Sequence, residues 1–237
     1  MVDNTGDIER LLETKKCQGG DLSHANLSNF DLSGADLSGA HLYCTNLSGA
    51  NLSGANLSGA DLSYANFVNA DLTRANIRGA DARGINFFDA QLSGANFSGT
   101  DLTFALMVNA NLSEANLRAV KLVGANLIGA KLNSANLSSA DLGGANLSTA
   151  NLISAKLLST DMSEAKLVRA DLSDANLIGA NLTDANLSNA NLLNTNLSSA
   201  LLIGAFLVGA NLIGTQLDSA KLDGAMGITA EGQLVVG

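Results

Sequence analysis

The 237 residues include no proline and no tryptophan, two cysteines, two histidines and only 4% aromatic residues. Without proline, no position is barred from donating a backbone N–H, which suits a stack of hydrogen-bonded chain segments. Cys17 and Cys44 give no disulfide framework and read as free thiols. No run of 18 apolar residues offers a transmembrane helix, and Met1-Val2-Asp3-Asn4 does not open a signal peptide, so a cytoplasmic protein is expected. Lys and Arg number 13 against 22 Asp and Glu, a net charge of −9. That balance argues against direct binding of nucleic acid, whose phosphates require clustered cations.

What the chain has in abundance is one five-residue unit. Ala50-Asn51-Leu52-Ser53-Gly54 is followed by Ala55-Asn56-Leu57-Ser58-Gly59, and the phase holds for 41 units from Leu22 to Leu222. With the Leu position called i, only Phe67, Ile77, Ala82, Phe87, Phe97, Met107 and Met162 replace Leu, and 33 of the 41 slots at i−2 from Ala25 to Ala225 are Ala. A small and a large apolar residue flanking a polar one is strand alternation with one buried face. On a helix, residues five apart would wander around the axis, so a helix is excluded.

Position i+2 holds 17 of the 24 glycines, the slot where a type II turn needs positive φ. At Tyr64, Arg74 and Phe104 that conformation would be strained, and a type I-like corner is expected instead. Four short sides and four corners would close a 20-residue coil, and stacked coils would pair their backbones in parallel. Periodicity alone also permits another polygon.

The A(D/N)LSG pattern resembles the pentapeptide-repeat family, of the type abundant in photosynthetic bacteria, over Gly20 to Ala225. The resemblance implies an all-β fold, a right-handed quadrilateral parallel β-helix of about ten coils. Members from photosynthetic bacteria often carry Cys-x-x-Cys before the first repeat, of which Cys17-Gln18-Gly19-Gly20 keeps only the first cysteine.

A repeat without a phase break reads as one rod, with an N-terminal helical cap over 1–19, the β-helix over 20–225 and a short C-terminal cap over 226–237. A helix is expected over 4–16, capped by Asn4, with Ile8, Leu11 and Leu12 as its apolar stripe and Lys15 and Lys16 at its negative end. Phe30, too large for an i−2 slot, is expected to pack beneath that lid. Ala82 and Ile85 read as an exchange of core volume. At the other end, Thr229 can cap a turn that lays Leu234 and Val235 over the last coil.

Columns spaced by 20 residues expose the surface pattern. One i−1 column reads Asp21, His41, Asp61, Asp81, Asp101, Lys121, Asp141, Asp161, an acidic stripe with mutual repulsion, while the Asn26 column can form amide ladders. Val68, Phe88, Val108 and Ile128 replace Ser in one outward column, with Phe104 and Leu106 beside them, and form a candidate partner site. Leu201, Ile203, Phe206, Val208 and Ile213 form a candidate homodimer surface in the last coils. His24, His41 and Cys44 fall close together, but they lack a fourth ligand and point differently, so no metal site is assigned. No catalytic constellation and no cofactor motif emerge. Two readings follow: a non-enzymatic protein-binding scaffold using apolar and acidic faces, or, as the resemblance to quinolone-resistance members implies, a DNA-mimicking modulator of DNA gyrase.

Overall fold

Each unit has five backbone N–H groups to satisfy, and the computed structural model, which describes residues 4–227, shows where all five go. In the unit Asn136–Ala140 the amides of Leu137 and Ser139 donate to the carbonyls of Lys156 and Leu158 in the next coil, at 2.7 and 2.9 Å. Asn136 N–H donates back to Ala115 O, and Ala140 N–H closes the corner on Leu137 O, both at 2.9 Å. The remaining amide, Ser138 N–H, is taken by the Asn136 side chain, whose Oδ1 also accepts from Ser138 Oγ at 2.8 Å. Asp or Asn at i−1 and Ser at i+1 thus follow from the one amide that stacking leaves over.

Asn136 bridges in parallel to Asn116 and to Lys156, and the same 20-residue offset runs from Lys16↔Asp36 to Phe206↔Met226. Four units therefore make one turn of a parallel solenoid. Each side contributes a single bridging residue rather than a strand, because corners follow on both sides of it.

Inside, the Leu and Ala positions are buried as far as Ala210, except at Phe30, and partly buried in the last units, and Phe67, Phe87 and Phe97 pack ring to ring at centroid distances of 5.2 and 5.9 Å. Ala82 and Ile85 are both buried, in the stretch where Phe87 and Phe97 add volume. Where Thr replaces Ala at positions 45, 100, 160 and 195, its hydroxyl donates to a carbonyl of the coil below, at 2.7 to 3.1 Å. Among the described residues no buried side-chain polar atom lacks a partner.

The corners depart from the sequence expectation. Every i+2 residue from His24 to Gly224 has positive φ, including Tyr64, Arg74 and Phe104 at 57 to 58°. The type I-like corner does not occur. Two hydrogen bonds per corner depend on the left-handed residue, and they offset a strain of about 1–2 kcal/mol for a non-glycine.

Helix α1, Thr5–Thr14, is shorter than the range 4–16. Leu11 is buried and Ile8 packs on the core, but Leu12 faces solvent. Its polar side chains satisfy the edge of the first coil: Asn4 Nδ2 donates to Ser23 O, Asp21 N–H donates to Asp7 Oδ2, and Lys15 Nζ donates to Ser33 O. Asn4 stands at the N-cap position, yet its side chain serves the solenoid and makes no cap bond. Lys15 reaches Asp31 at 3.1 Å, and Lys16 has left the helix to bridge Asp36. Phe30 is 40% exposed rather than under α1, since a slot sized for Ala does not hold a phenyl ring. The turn expected from Thr229, with Leu234 and Val235, lies outside the described residues.

Three carboxylates of the first coils, Asp21, Asp31 and Asp36, are held as anions. Hydrogen bonds from the Ser33 hydroxyl and amide, helped by Lys15, lower Asp31 to about 2 from 3.8, and Asp21 and Asp36 are lowered mainly by Ser23 and Ser38. Each folded-state value lies below the unfolded one, so this stabilisation is complete above about pH 4 and is lost as pH falls towards the folded-state value. Thermal unfolding followed by circular dichroism should therefore give a constant midpoint from pH 7 to about 4.5 and a falling one below. A midpoint that rises on acidification would show that repulsion between the Asp side chains dominates.

Candidate functional site

The 20-residue register sorts every outward side chain onto four sides and four corners. The Asp61 side carries Asp21 to Lys221 at i−1; the next carries Asn26, Asn46, Asn66, Asn86, Leu106, Asn126 and onward to Phe206 and Met226. Between them runs the Tyr64 corner, and beyond the Asn66 side runs the Phe88 corner.

On the Phe88 corner Val68, Phe88, Val108 and Ile128 occupy successive coils, tied by Asn69 N–H to Phe88 O, Asp89 N–H to Val108 O and Asn109 N–H to Ile128 O at 2.9 to 3.1 Å. Leu106 bridges Asn86 and Asn126 on the side between the corners, and Phe104 projects from the Tyr64 corner, 67% exposed. The six candidate partner residues thus flank one side. Leu106 displaces an Asn whose Oδ1 would accept the Val108 amide, a bond of about 1 kcal/mol given up for an exposed apolar group.

The dimer candidates divide. Ile203, Phe206 and Val208 lie on the Tyr64 corner, the Asn66 side and the Phe88 corner, so they continue the same surface towards the C-terminal coils. Leu201 sits on the Asp61 side, and Ile213, 70% exposed, sits one whole side beyond Val208. The sequence reading separated two patches; the register places most of both on one side, with Asn126, Asn146, Lys166 and Asn186 between them.

Column reading missed the tyrosines. His24, Tyr43 and Tyr64 form an edge-to-face series along the Tyr64 corner at 5.3 and 6.1 Å. Two adjoining columns, i+1 and i+2, share this corner, and reading them together would have shown it. Each left-handed corner side chain leans towards the next coil: the Tyr64 ring covers Gly84 and the Phe104 ring covers Gly124, where an added Cβ would stand 2.7 and 2.6 Å from ring atoms. His24 contacts Tyr43, and among the described residues no three His, Cys, Asp or Glu side chains are grouped to hold a metal. Cys17 is buried, Cys44 is half-buried, and both are free.

The acidic stripe is less bare than its sequence suggests. Arg83 donates to both oxygens of Asp81 at 2.8 and 2.6 Å, which lowers the Asp81 carboxyl, and Lys121 Nζ stands 3.8 Å from Asp101. Asn181 Nδ2 donates to Asp161 Oδ1 at 3.0 Å, and Asp61 accepts the amide and hydroxyl of Ser63. The amide ladders expected of the Asn26 column form between Asn26, Asn46 and Asn66 at 3.0 and 3.3 Å.

The pentapeptide-repeat family model matches eight overlapping copies, 21–59, 50–87, 85–122, 95–133, 110–148, 130–167, 165–202 and 190–225. The chain belongs to the pentapeptide-repeat family. Among solved pentapeptide-repeat structures it is similar to HetL, described as involved in heterocyst differentiation regulation, from the cyanobacterium Nostoc sp. strain PCC 7120, with 37% identity over 98% of this chain and 99% of that one and a TM-score of 0.49. A trypsin-treated form of QnrB1, a plasmid-mediated fluoroquinolone resistance protein, is 27% identical over 86% of each chain, with a TM-score of 0.40. A comparison with curated proteins gives no match. In the described residues no helix is long and apolar enough to cross a membrane.

The corner packing generates a test internal to the repeat. Gly124 and Gly144 share φ +63°, but only Gly124 lies under a ring, with nothing within 4 Å at Gly144. Gly124→Ala should lower stability by about 1–3 kcal/mol more than Gly144→Ala in denaturant unfolding, and Phe104→Ser should erase the difference. Equal costs in the parent protein would remove Phe104 from that corner.

Proposed function

We propose that this pentapeptide-repeat protein is a non-catalytic protein-binding scaffold that docks its partner on the Asn66 side and its two corners. One observation carries the reading. Of 13 exposed large hydrophobic side chains among the described residues, nine lie there: Tyr43, Tyr64, Phe88, Phe104, Leu106, Ile203, Phe206, Val208 and Met226. Scattered exposed hydrophobics need no explanation, but two groups gathered on one side of a regular rod, Tyr43 to Leu106 and Ile203 to Met226, mark that side as an interface. Leu106 and Phe206 strengthen the inference, because each gives up the i−1 oxygen that the repeat otherwise supplies. The Leu-filled interior supports a surface role over a pocket-based one.

In this reading the chain is one right-handed, four-sided rod of about ten coils, with residues 1–19 and 226–237 closing its ends. Ile203, Phe206 and Val208 either extend the partner surface or pair two copies; their place on the same side as Phe88 favours the first.

The test is affinity capture from the native cell with three baits. Wild type and Ile178→Ser, which removes an exposed residue elsewhere, should retain the same partner, whereas Phe88→Ser with Leu106→Asn should lose it by tenfold or more, about 1.4 kcal/mol. The double variant restores the plain repeat, so its melting temperature should match or exceed wild type. Undiminished capture by a folded double variant would move the interface off this side.

A further inference from the structure

Resting on that scaffold reading, we propose that the partner element seated on the Asn66 side is an amphipathic α-helix with a basic flank. Three features of the surface select this class. First, the backbone along the flank of the rod is committed between coils, amide by amide, so a partner strand finds no free edge there and recognition falls to side chains. Second, the spacing suits a helix laid along the rod axis. Tyr64 and Phe104 stand on one corner two coils apart, about 9.6 Å at the usual strand spacing. Residues seven apart on a helix are separated by about 10.5 Å, and each helical turn of roughly 5.4 Å nearly matches one coil. Alternate residues of a strand, roughly 6.6–6.8 Å apart, match neither one coil nor two.

Third, charge is distributed asymmetrically about the apolar surface. The outward column from Asn26 to Asn146 carries no charged residue. Arg83, on the Tyr64 corner, is held by Asp81, and Asp89 is the one acid on the Phe88 corner between coils 68 and 128. Across the Tyr64 corner lie Asp61, Asp101, Asp141 and Asp161, interrupted by Lys121. A helix whose apolar face covers Phe88, Leu106 and Phe104 therefore brings one flank over these carboxylates and the other over the Phe88 corner, where Asp89 is the one acid. Lys or Arg on that flank fixes the direction and register of docking and speeds encounter. An anionic membrane or a nucleic acid would meet repulsion from the same column.

The probe is a Leu/Lys model helix of roughly 18 residues, about 27 Å long, with lysines along one flank, read by fluorescence anisotropy against the intact protein. A Leu/Glu helix of the same pattern is its control. The Leu/Lys helix should bind, and the Leu/Glu helix should bind at least tenfold more weakly. Phe88→Ser with Leu106→Asn, and separately Asp61→Asn with Asp141→Asn, should each weaken the Leu/Lys helix tenfold or more. Asp171→Asn with Asp174→Asn, on a different side and corner, should change it less than twofold; all three variants keep the side-chain oxygens of the repeat and should melt like wild type. Equal losses from both acidic pairs would show diffuse attraction and overturn the proposal, as would insensitivity to the apolar pair or equal binding of the Leu/Glu helix. If no model helix binds while partner capture still depends on Phe88 and Leu106, the helix assignment falls and the scaffold reading stands. If capture is also indifferent to them, both fall.

Discussion

The structure depends on one hydrogen bond, from the amide at i+1 to the side-chain oxygen at i−1. Stacking in a 20-residue register pairs the amides at i−1, i and i+2 with neighbouring coils, and the corner takes the amide at i−2. The i+1 amide points along none of these directions. An Asp or Asn two residues earlier meets it locally, from Asp21–Ser23 near one end to Asn211–Ile213 near the other. The same oxygen accepts the Ser hydroxyl, and the Asn amide then links to the coil below. Three motifs of the sequence, the acid or amide at i−1, the Ser at i+1 and the column of Asn, are one interaction network seen from three positions.

This network sets the value of each departure from the repeat. Lys121, Lys131, Lys156 and Lys166 break the i−1 rule with soluble side chains, Lys166 on the Asn66 side itself between the two apolar groups. Of the apolar breaks, Leu201 lies on the Asp61 side, whereas Leu106 and Phe206 lie on the side where the exposed aromatics also gather. Within a fold this regular, a loss of local satisfaction without a gain in core packing is a functional signal. Regularity also explains why the candidate site is sought on the surface. Inward positions are filled coil by coil with Leu and Ala, so individuality is left to the outward residues.

Period and inward face were legible in the sequence because each is set by local alternation and by a phase that never slips, whereas the 20-residue coil rested on the family resemblance, since periodicity alone permits another polygon. Leu137, Thr160 and Phe87 sit where the five-residue count puts them. The corners were misjudged at Tyr64 and Phe104, since local strain was weighed without the inter-coil bond that offsets it. The acidic column read as repulsive because Arg83, two residues from Asp81, belongs to a corner rather than to the column. Phe30 and Leu12 were assigned to the lid by size and periodicity, although the lid's fit rests on Asn4, Asp7 and Lys15 meeting the backbone edge. Of the candidate site, the outward apolar columns were legible, but their placement on one side needed adjoining columns to be read around the corners.

Amide hydrogen exchange resolved by NMR tests the central interaction most directly. In Asn136→Leu, the Ser138 amide loses its acceptor while Leu137 and Ser139 keep their bonds to Lys156 and Leu158. Protection of Ser138 should fall by tenfold or more, with Leu137 and Ser139 changed far less. Unchanged protection at Ser138, or an equal loss at all three amides, would contradict the assignment of the i−1 oxygen as the partner that stacking leaves the repeat to supply.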